Sequence, residues 1–505
     1  MPGYTYPGVY IQESPGSAHP ITGVATSIAA FVGWAARGPT NQATLVESWV
    51  DFQAHYGGLD SRSLLGYAVN QFFANGGSQA FVVRLAAANA ATASTPNAAM
   101  IGNRTVYAKN SGAWGNNIAI TAAVSSADNT RFSILVQSTA GASPQSLENF
   151  VDLSFSSSDP QGRYVVDIID SESNYITFIQ PGTTTPPAPP TGPLPGYSLK
   201  NLSGGLDGTV LTPNTNAFET ALSAVGVGVN LLGTVFFNIL CVPGETTASV
   251  VSTLQKFCAD NRAFYIVDSD QSATYSTLNT NGPAGMTTAP NAANAAFYFP
   301  WISAPDPLAS GQPRLFPPCG FVAGVYAATD ASRGVWKAPA GINAELSGVL
   351  GLQYCLTDQQ SGDLNRQAIN CLRQFPVNGD VVWGSRTLLG NDQVGSQWKY
   401  VPIRRFALFL ESCLYEGTQW AVFEPNDETL WGQLRMNIGA FMQGLFLKGA
   451  FQGASPQQAY FVKCDSENNT QANIDLGIVT VTVGFAPLYP AEFVVIQIQQ
   501  MARQL

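Results

Sequence analysis

The sequence predicts a multidomain α/β and α+β protein with a mostly-β insertion and an extended arm at each end. Strand and helix patterns alternate over residues 26–85 and again over 206–370, as α/β layers require. Between them, residues 101–205 carry short alternating strands. At both ends lie short β-competent segments flanked by proline.

Each element has its own signal. Residues 1–25 are rich in Tyr, Pro and Gly, and Val9, Tyr10 and Ile11 form a strand-like piece. They are expected to leave their own domain and pair with a neighbour's sheet edge. In residues 26–100, Ser27–Trp34 and Ala80–Leu85 read as buried strands. Between them, Ser48 or Asp51 opens a short helix ending near Gly57 and Gly58, and Arg62–Ala74 is a second helix. The insertion, residues 101–205, has strands at Ile118–Ala122, Phe132–Val136, Leu147–Leu153 and Tyr175–Ile179, and ends in the proline-rich linker Thr183–Pro195. Residues 206–370 predict helices at Phe218–Ala224 and Thr247–Asn261, strands at Phe237–Gly244, Ala263–Asp268 and Ala296–Ile302, and a loop over Leu278–Asn294. Residues 371–488 predict strands near Val381 and Ile403–Phe406, a helix over Ala407–Tyr415, and a longer one over Glu428–Leu447. Asn426 or Asp427 caps that last helix and Gly449 follows it. Val479, Val481, Val483 and Phe485 alternate as a half-buried strand. In residues 489–505, past Pro487 and Pro490, the alternation resumes, and Phe493, Val494, Val495, Ile496 and Ile498 form the second candidate arm.

Charged residues are only 11% of the chain, against roughly 25% in an average soluble protein. Its surface is therefore built from Ser, Thr, Asn, Gln, Gly and Ala, which suits a surface covered by other subunits. The net charge of −10 and the absence of a basic run argue against nucleic-acid binding. No apolar stretch reaches the roughly 18–20 residues of a membrane span, and the first residues do not resemble a signal peptide. The chain is expected to be made in the cytoplasm. Seven scattered cysteines without a C-x-x-C pair read as buried thiols, not disulfides or a metal site.

Enzymatic chemistry finds little support. Asp268, Ser269 and Asp270 end a buried strand, where open α/β sheets place ligands. A serine hydrolase needs an imidazole, however, and the only histidines, His19 and His55, lie far from them in sequence. The segment beginning at Asp465 lacks the turn glycine and distal glutamate of a calcium loop. No catalytic, cofactor or metal residue is assigned. Arg435 and Lys448, at the long helix, offer charge to a partner.

A series of segments, in this order, resembles the tail sheath proteins of contractile phage tails and related contractile injection systems. They are Pro7–Glu13, Thr26–Gly33, Arg37-Gly-Pro, Phe72–Gly77, Phe81–Leu85, Gly112–Asn117, Leu202–Gly208, Tyr298–Ile302, Ala323–Asp330, Arg333–Gly341, Leu364-Asn with Ile369-Asn, Trp383–Leu388 and the stretch from Phe461 through Gln500. The resemblance implies a subtilisin-like α/β middle domain without protease activity and a C-terminal α+β core domain. It implies hexameric rings stacked helically around an inner tube, with Arg435 and Lys448 as candidates to face that tube. Arms from both termini would complete neighbouring sheets, and contraction would turn near-rigid subunits about them. Baseplate and tail-end cap proteins are the other implied partners; no cofactor is. The particle would be a phage tail or an extracellular or cell-associated injection device. Two readings stand beside it: an α/β hydrolase-like enzyme centred on Asp268, and another self-assembling shell of the capsid type.

Overall fold

The computed structural model describes residues 19–92, 101–180, 190–192, 194–287 and 290–497. Val9, Tyr10, Ile11 and Ile498, and much of the proline-rich linker, lie outside the described residues. The chain divides into two compact units, Ala25–Arg405 and a second comprising the segment through Val24 with Phe406 onward.

The larger unit opens with β1 (Ala29–Trp34), whose six residues are all buried, as a strand covered on both faces must be. β2 (Thr44–Val46) leads to α1 (Trp49–Tyr56). Ser48 starts this helix by accepting the Asp51 N–H at 3.1 Å, and Gly57 ends it with a φ of 81°. α2 (Leu65–Ala74) and β3 (Ala80–Leu85) follow.

The insertion contains β4 (Tyr107–Ala108), β5 (Ile118–Val124), β6 (Phe132–Ser138), β7 (Gln145–Leu153), α3 (Val165–Glu172), β8 (Ile176–Thr177) and β9 (Tyr197–Asn201). Its four-stranded antiparallel sheet runs β7-β6-β5-β9. Ile120, Ile134, Val136 and Phe150 share a core with Val165, Val166 and Ile169 of α3. The two ends of the insertion are tied together, because Asn116 donates to the Gly205 carbonyl and accepts the Gly205 N–H, both at 2.8 Å. Buried Arg84 adds to this by donating to the carbonyls of Ala35, Ala36, Gly38 and Ser111. With no carboxylate bonded to it, burial pushes its guanidinium down to about 10.

Beyond the insertion come α4 (Asn216–Ser223), β10 (Ile239–Cys241), α5 (Ala248–Asp260), β11 (Phe264–Asp268), α6 (Tyr275–Asn281), β12 (Ala295–Phe299), β13 (Ile302–Asp306), β14 (Gln312–Phe316), α7 (Cys319–Arg333), β15 (Gly351–Leu352), α8 (Asp358–Arg366), β16 (Ile369–Phe375) and β17 (Gly379–Val382). Among the described residues the main sheet has eight strands, ordered β17-β16-β12-β11-β10-β1-β3-β2. The six inner strands are parallel and the two edges antiparallel. Phe218, Leu222, Val251, Leu254 and Leu364 pack on one face. On the other, Phe72 of α2 meets Phe31, and Tyr326 of α7 meets Phe264 and Tyr298. This one sheet crosses the limits expected at residues 100, 205 and 370.

The smaller unit holds the continuation of α9 (Val401–Gly417), then α10 (Glu428–Leu447), α11 (Pro456–Ala459), β18 (Tyr460–Lys463), α12 (Gln471–Asp475) and β19 (Thr482–Phe485). Residues 19–24 run beside α9: the Val24 N–H meets Cys413 Sγ at 3.4 Å, and the His19 ring stacks on Trp420 at 4.3 Å.

Several expectations need correction. Ile403–Phe406 is helix, because the apolar stripe Val401, Ile403, Phe406, Ala407 and Leu410 continues with helical spacing through α9. Leu278–Asn294 is not all loop. A Thr274–Thr277 capping box starts α6, and a 3-10 turn spans Pro290–Asn294. The helix expected from Arg62 starts at Leu65, and the strand expected from Val479 starts at Thr482, since Val479 and Val481 pack against Leu430 and Leu434 instead. Phe493–Ile496, expected to pair with a neighbouring chain, forms no strand within its own chain among the described residues. Of the seven cysteines, six are buried and Cys355 is exposed.

Candidate assembly surface

The smaller unit is built around α10. Asp427 caps it by accepting the N–H groups of Thr429 and Leu430 at 2.9 and 3.0 Å. Leu430, Trp431 and Leu434 turn inward onto Cys464, with Trp420, Ile474, Val479 and Val481 around them. Tyr460 reaches back from β18 to the Gln443 side chain at 3.0 Å. This anchors a ribbon of only two strands, β18 and β19. A ribbon that small is marginal alone and leaves backbone groups along its edges for another strand.

Past β19 the chain makes a bridge between Phe451 and Pro487 and then leaves the packed part. Phe493, Val494, Val495 and Ile496 are 75–81% exposed. Four consecutive large apolar side chains in water cost roughly 1.5–3 kcal/mol each relative to burial. Phe461 on β18 is also exposed.

A second exposed apolar group escaped the sequence reading. Val422, Phe423, Leu476 and Ile478 all face solvent, and Asn426 Nδ2 joins the two loops by donating to the Ile478 carbonyl at 3.1 Å. Phe423 holds a φ of 70°, rare for a bulky residue. Nothing in the sequence spacing of Val422, Phe423, Leu476 and Ile478 shows that the fold exposes them together.

The two candidate cations differ. Arg435 is bonded within its own unit, to Glu428 Oε1 at 2.7 Å and to the Cys464 carbonyl. The Glu428 carboxylate holds its guanidinium above the usual range. Lys448 caps the far end of α10 with its side chain exposed.

Asp268 is a structural joint. Its two oxygens accept the Gly244 N–H at 3.0 Å and the Cys319 N–H at 2.8 Å, so it fastens the loop after β10 and the first residue of α7 to the end of β11. Burial pushes its carboxyl up to about 6. Neither histidine joins it: His55 Nε2 lies 3.3 Å from Asp51 and His19 lies on Trp420. Among the described residues no group of His, Cys, Asp and Glu is arranged to hold a metal ion, and no helix is long and apolar enough to cross a membrane.

Comparison with known proteins decides the family. Residues 215–388 match the phage tail sheath protein central domain, and residues 393–501 match the phage tail sheath C-terminal domain. The chain belongs to the contractile tail sheath family. This sheath chain is 26% identical over 264 residues to a putative prophage major tail sheath protein of Pseudomonas aeruginosa, covering 50% of the chain and 62% of that protein. It is also 26% identical over 182 residues to the tail sheath protein of Vibrio phage KVP40, covering 36% of the chain and 26% of that protein. The matches thus span less than two thirds of either relative. Among solved structures, the fold is shared with the anti-feeding prophage helical sheath in its contracted state, at a TM-score of 0.60 and 22% identity over 98% of this chain and 99% of that one. It is shared equally with a sheath tail protein from Listeria innocua, at a TM-score of 0.61 and 14% identity over 93% and 97%.

Proposed function

We propose that this chain is the structural subunit of a contractile sheath, which polymerises as stacked hexameric rings around an inner tube and contracts to drive that tube through a target envelope. The observation that carries the reading is the uncovered segment Phe493–Ile496, leaving the packed unit beside a two-stranded ribbon. In a polymer the segment adds to the ribbon of another copy, which buries its side chains and completes the ribbon's hydrogen bonds. Val9, Tyr10 and Ile11 are assigned the same role from the other end of the chain. Lys448, exposed at the end of α10, and Arg435, which also holds α10 to Cys464 just past β18, are assigned to the tube face. Residues 206–370 are read as a subtilisin-like layer and 101–205 as an inserted surface domain. The particle is a phage tail or an extracellular injection device, assembled in the cytoplasm from this chain, a tube protein, a baseplate and a tail-end cap. Solved relatives described as a sheath complex in a contracted state and as part of a baseplate support that setting.

The test is electron microscopy and sedimentation of the full chain and of a chain lacking residues 490–505. The expected result is hollow striated tubes from the full chain and folded monomers from the shortened one. Tubes from both would remove the C-terminal segment from assembly. In the same preparations with a candidate tube protein, Lys448→Glu is expected to lower the fraction of sheathed tubes. Unchanged sheathing would take Lys448 off the tube face.

A further inference from the structure

The chain crosses between its two units at two places, between Val24 and Ala25 and between Arg405 and Phe406. On the side of the larger unit, both crossings end at one buried guanidinium. Arg405 Nη1 donates to Asp330 Oδ1 at 2.9 Å, and Nη2 donates to Asp330 Oδ2 at 2.6 Å and to the Thr26 carbonyl at 2.8 Å. Arg405 thus stands at the end of one crossing and holds the backbone one residue inside the other. Both partners of the ion pair are buried.

The support behind the pair is rigid. The Arg405 guanidinium lies 4.7 Å from the centre of the Tyr326 ring, one turn before Asp330 on α7. The Tyr326 hydroxyl is 2.7 Å from the Tyr298 hydroxyl on β12. α7 itself is seated hard on α2, because Gly320 and Gly324 bring its backbone against Ala68, Phe72 and Asn75. The guanidinium is thereby coupled, through α7 and Tyr298, to the centre of the main sheet.

A buried ion pair is a poor way to gain stability alone, since apolar residues of similar volume often do as well or better. What the planar guanidinium adds is direction: three bonds from one group at fixed angles, which neither Lys nor an apolar side chain supplies. We propose that Arg405 and Asp330 are an anchor that pins both chain crossings to α7. Flexing of the chain at the crossings is then confined to the far side of Thr26 and Arg405, and the larger unit moves as one body up to that point. In this role Arg405 is a positioning residue, and its effect is local.

Hydrogen exchange on the isolated full chain tests this, and the readout does not depend on whether the chain polymerises. Arg405→Lys keeps the charge and loses the fork. The amide of Ile28, bonded to Asn238 Oδ1 at 3.0 Å, and the amides of Val401 and Arg404 at the start of α9 are expected to exchange about tenfold faster or more, while those of β1 and β11 keep their protection. The pair Arg405→Met with Asp330→Leu removes both charges together. It is expected to unfold near the wild-type temperature and still show fast exchange at Ile28, because the Thr26 carbonyl has lost its donor. Unchanged exchange at Ile28 in either variant would overturn the anchor. So would a rise of equal factor in every protected segment, which would make the pair a contributor to global stability only.

Discussion

Asp268 shows how one side chain can look catalytic and serve packing. A carboxyl at the end of a parallel strand sits where ligands bind in open α/β sheets, yet here both oxygens are taken by backbone N–H groups of its own unit. Burial raises its folded pKa to about 6, from an ordinary value of 3.8. The native state therefore holds a proton that the unfolded chain releases. The contribution to stability is fully present below 3.8 and is lost as pH rises through about 6. Wild-type protein is expected to lose about 1 kcal/mol of unfolding free energy from this group between about pH 5 and about pH 7, and Asp268→Asn is expected to lack that part of the slope. Urea unfolding of both proteins at the two pH values measures it. Equal slopes would mean that the two N–H donors outweigh burial and keep the carboxylate ionised.

At the scale of elements, α7 is the piece that the sequence concealed. Its run from Cys319 to Ala328 is small or apolar on every side, so no helical stripe stands out, and Gly320 and Gly324 lower its apparent helix propensity. Those glycines are what the packing needs. A Cβ at Gly320 would lie 2.4 Å from the Ala68 carbonyl oxygen and 2.7 Å from its Cα, backbone atoms that cannot step aside. Gly320→Ala is expected to cost about 1–3 kcal/mol, seen as a lower urea midpoint with unchanged slope. Gly439→Ala on α10, where a Cβ meets nothing within 4 Å, is the control and is expected to be neutral or stabilising by up to about 1 kcal/mol. A neutral Gly320→Ala would mean that α7 and α2 are less tightly seated than described. By contrast, α1 and α10 were legible to within a residue because their punctuation is local: Ser48 and Gly57 bound one, and Asp427 and Gly449 the other. Ile403–Phe406 failed because four residues of apolar and charged character fit either period, and only the continuation through Leu410 and Cys413 chooses helix.

At the scale of the molecule, composition and covering agree. A chain with few charges exposes apolar side chains throughout its smaller unit, at Val422, Phe423, Met436, Leu447, Phe461, Leu476 and Phe493–Ile496. Isolated, each is unremarked on a protein surface; a consecutive run of four is a segment awaiting burial. Half of the candidate surface was legible, since alternation and proline breaks mark Phe493–Ile496 in the sequence. The other half, the joined loops at Phe423 and Ile478, was not, because Asn426 and Ile478, 52 positions apart in sequence, meet only in the fold. Nor could spacing show that one sheet gathers strands from residues 29 to 382 across an intervening β domain.

The most direct measurement is a cryo-EM map of the assembled polymer at side-chain resolution. The segment around Phe493–Ile496 is predicted to form a strand on the β18–β19 ribbon of a neighbouring copy, with its apolar side chains covered. A map in which that segment folds back on its own unit, or stays in solvent while the tube is intact, would contradict strand exchange as the basis of the sheath.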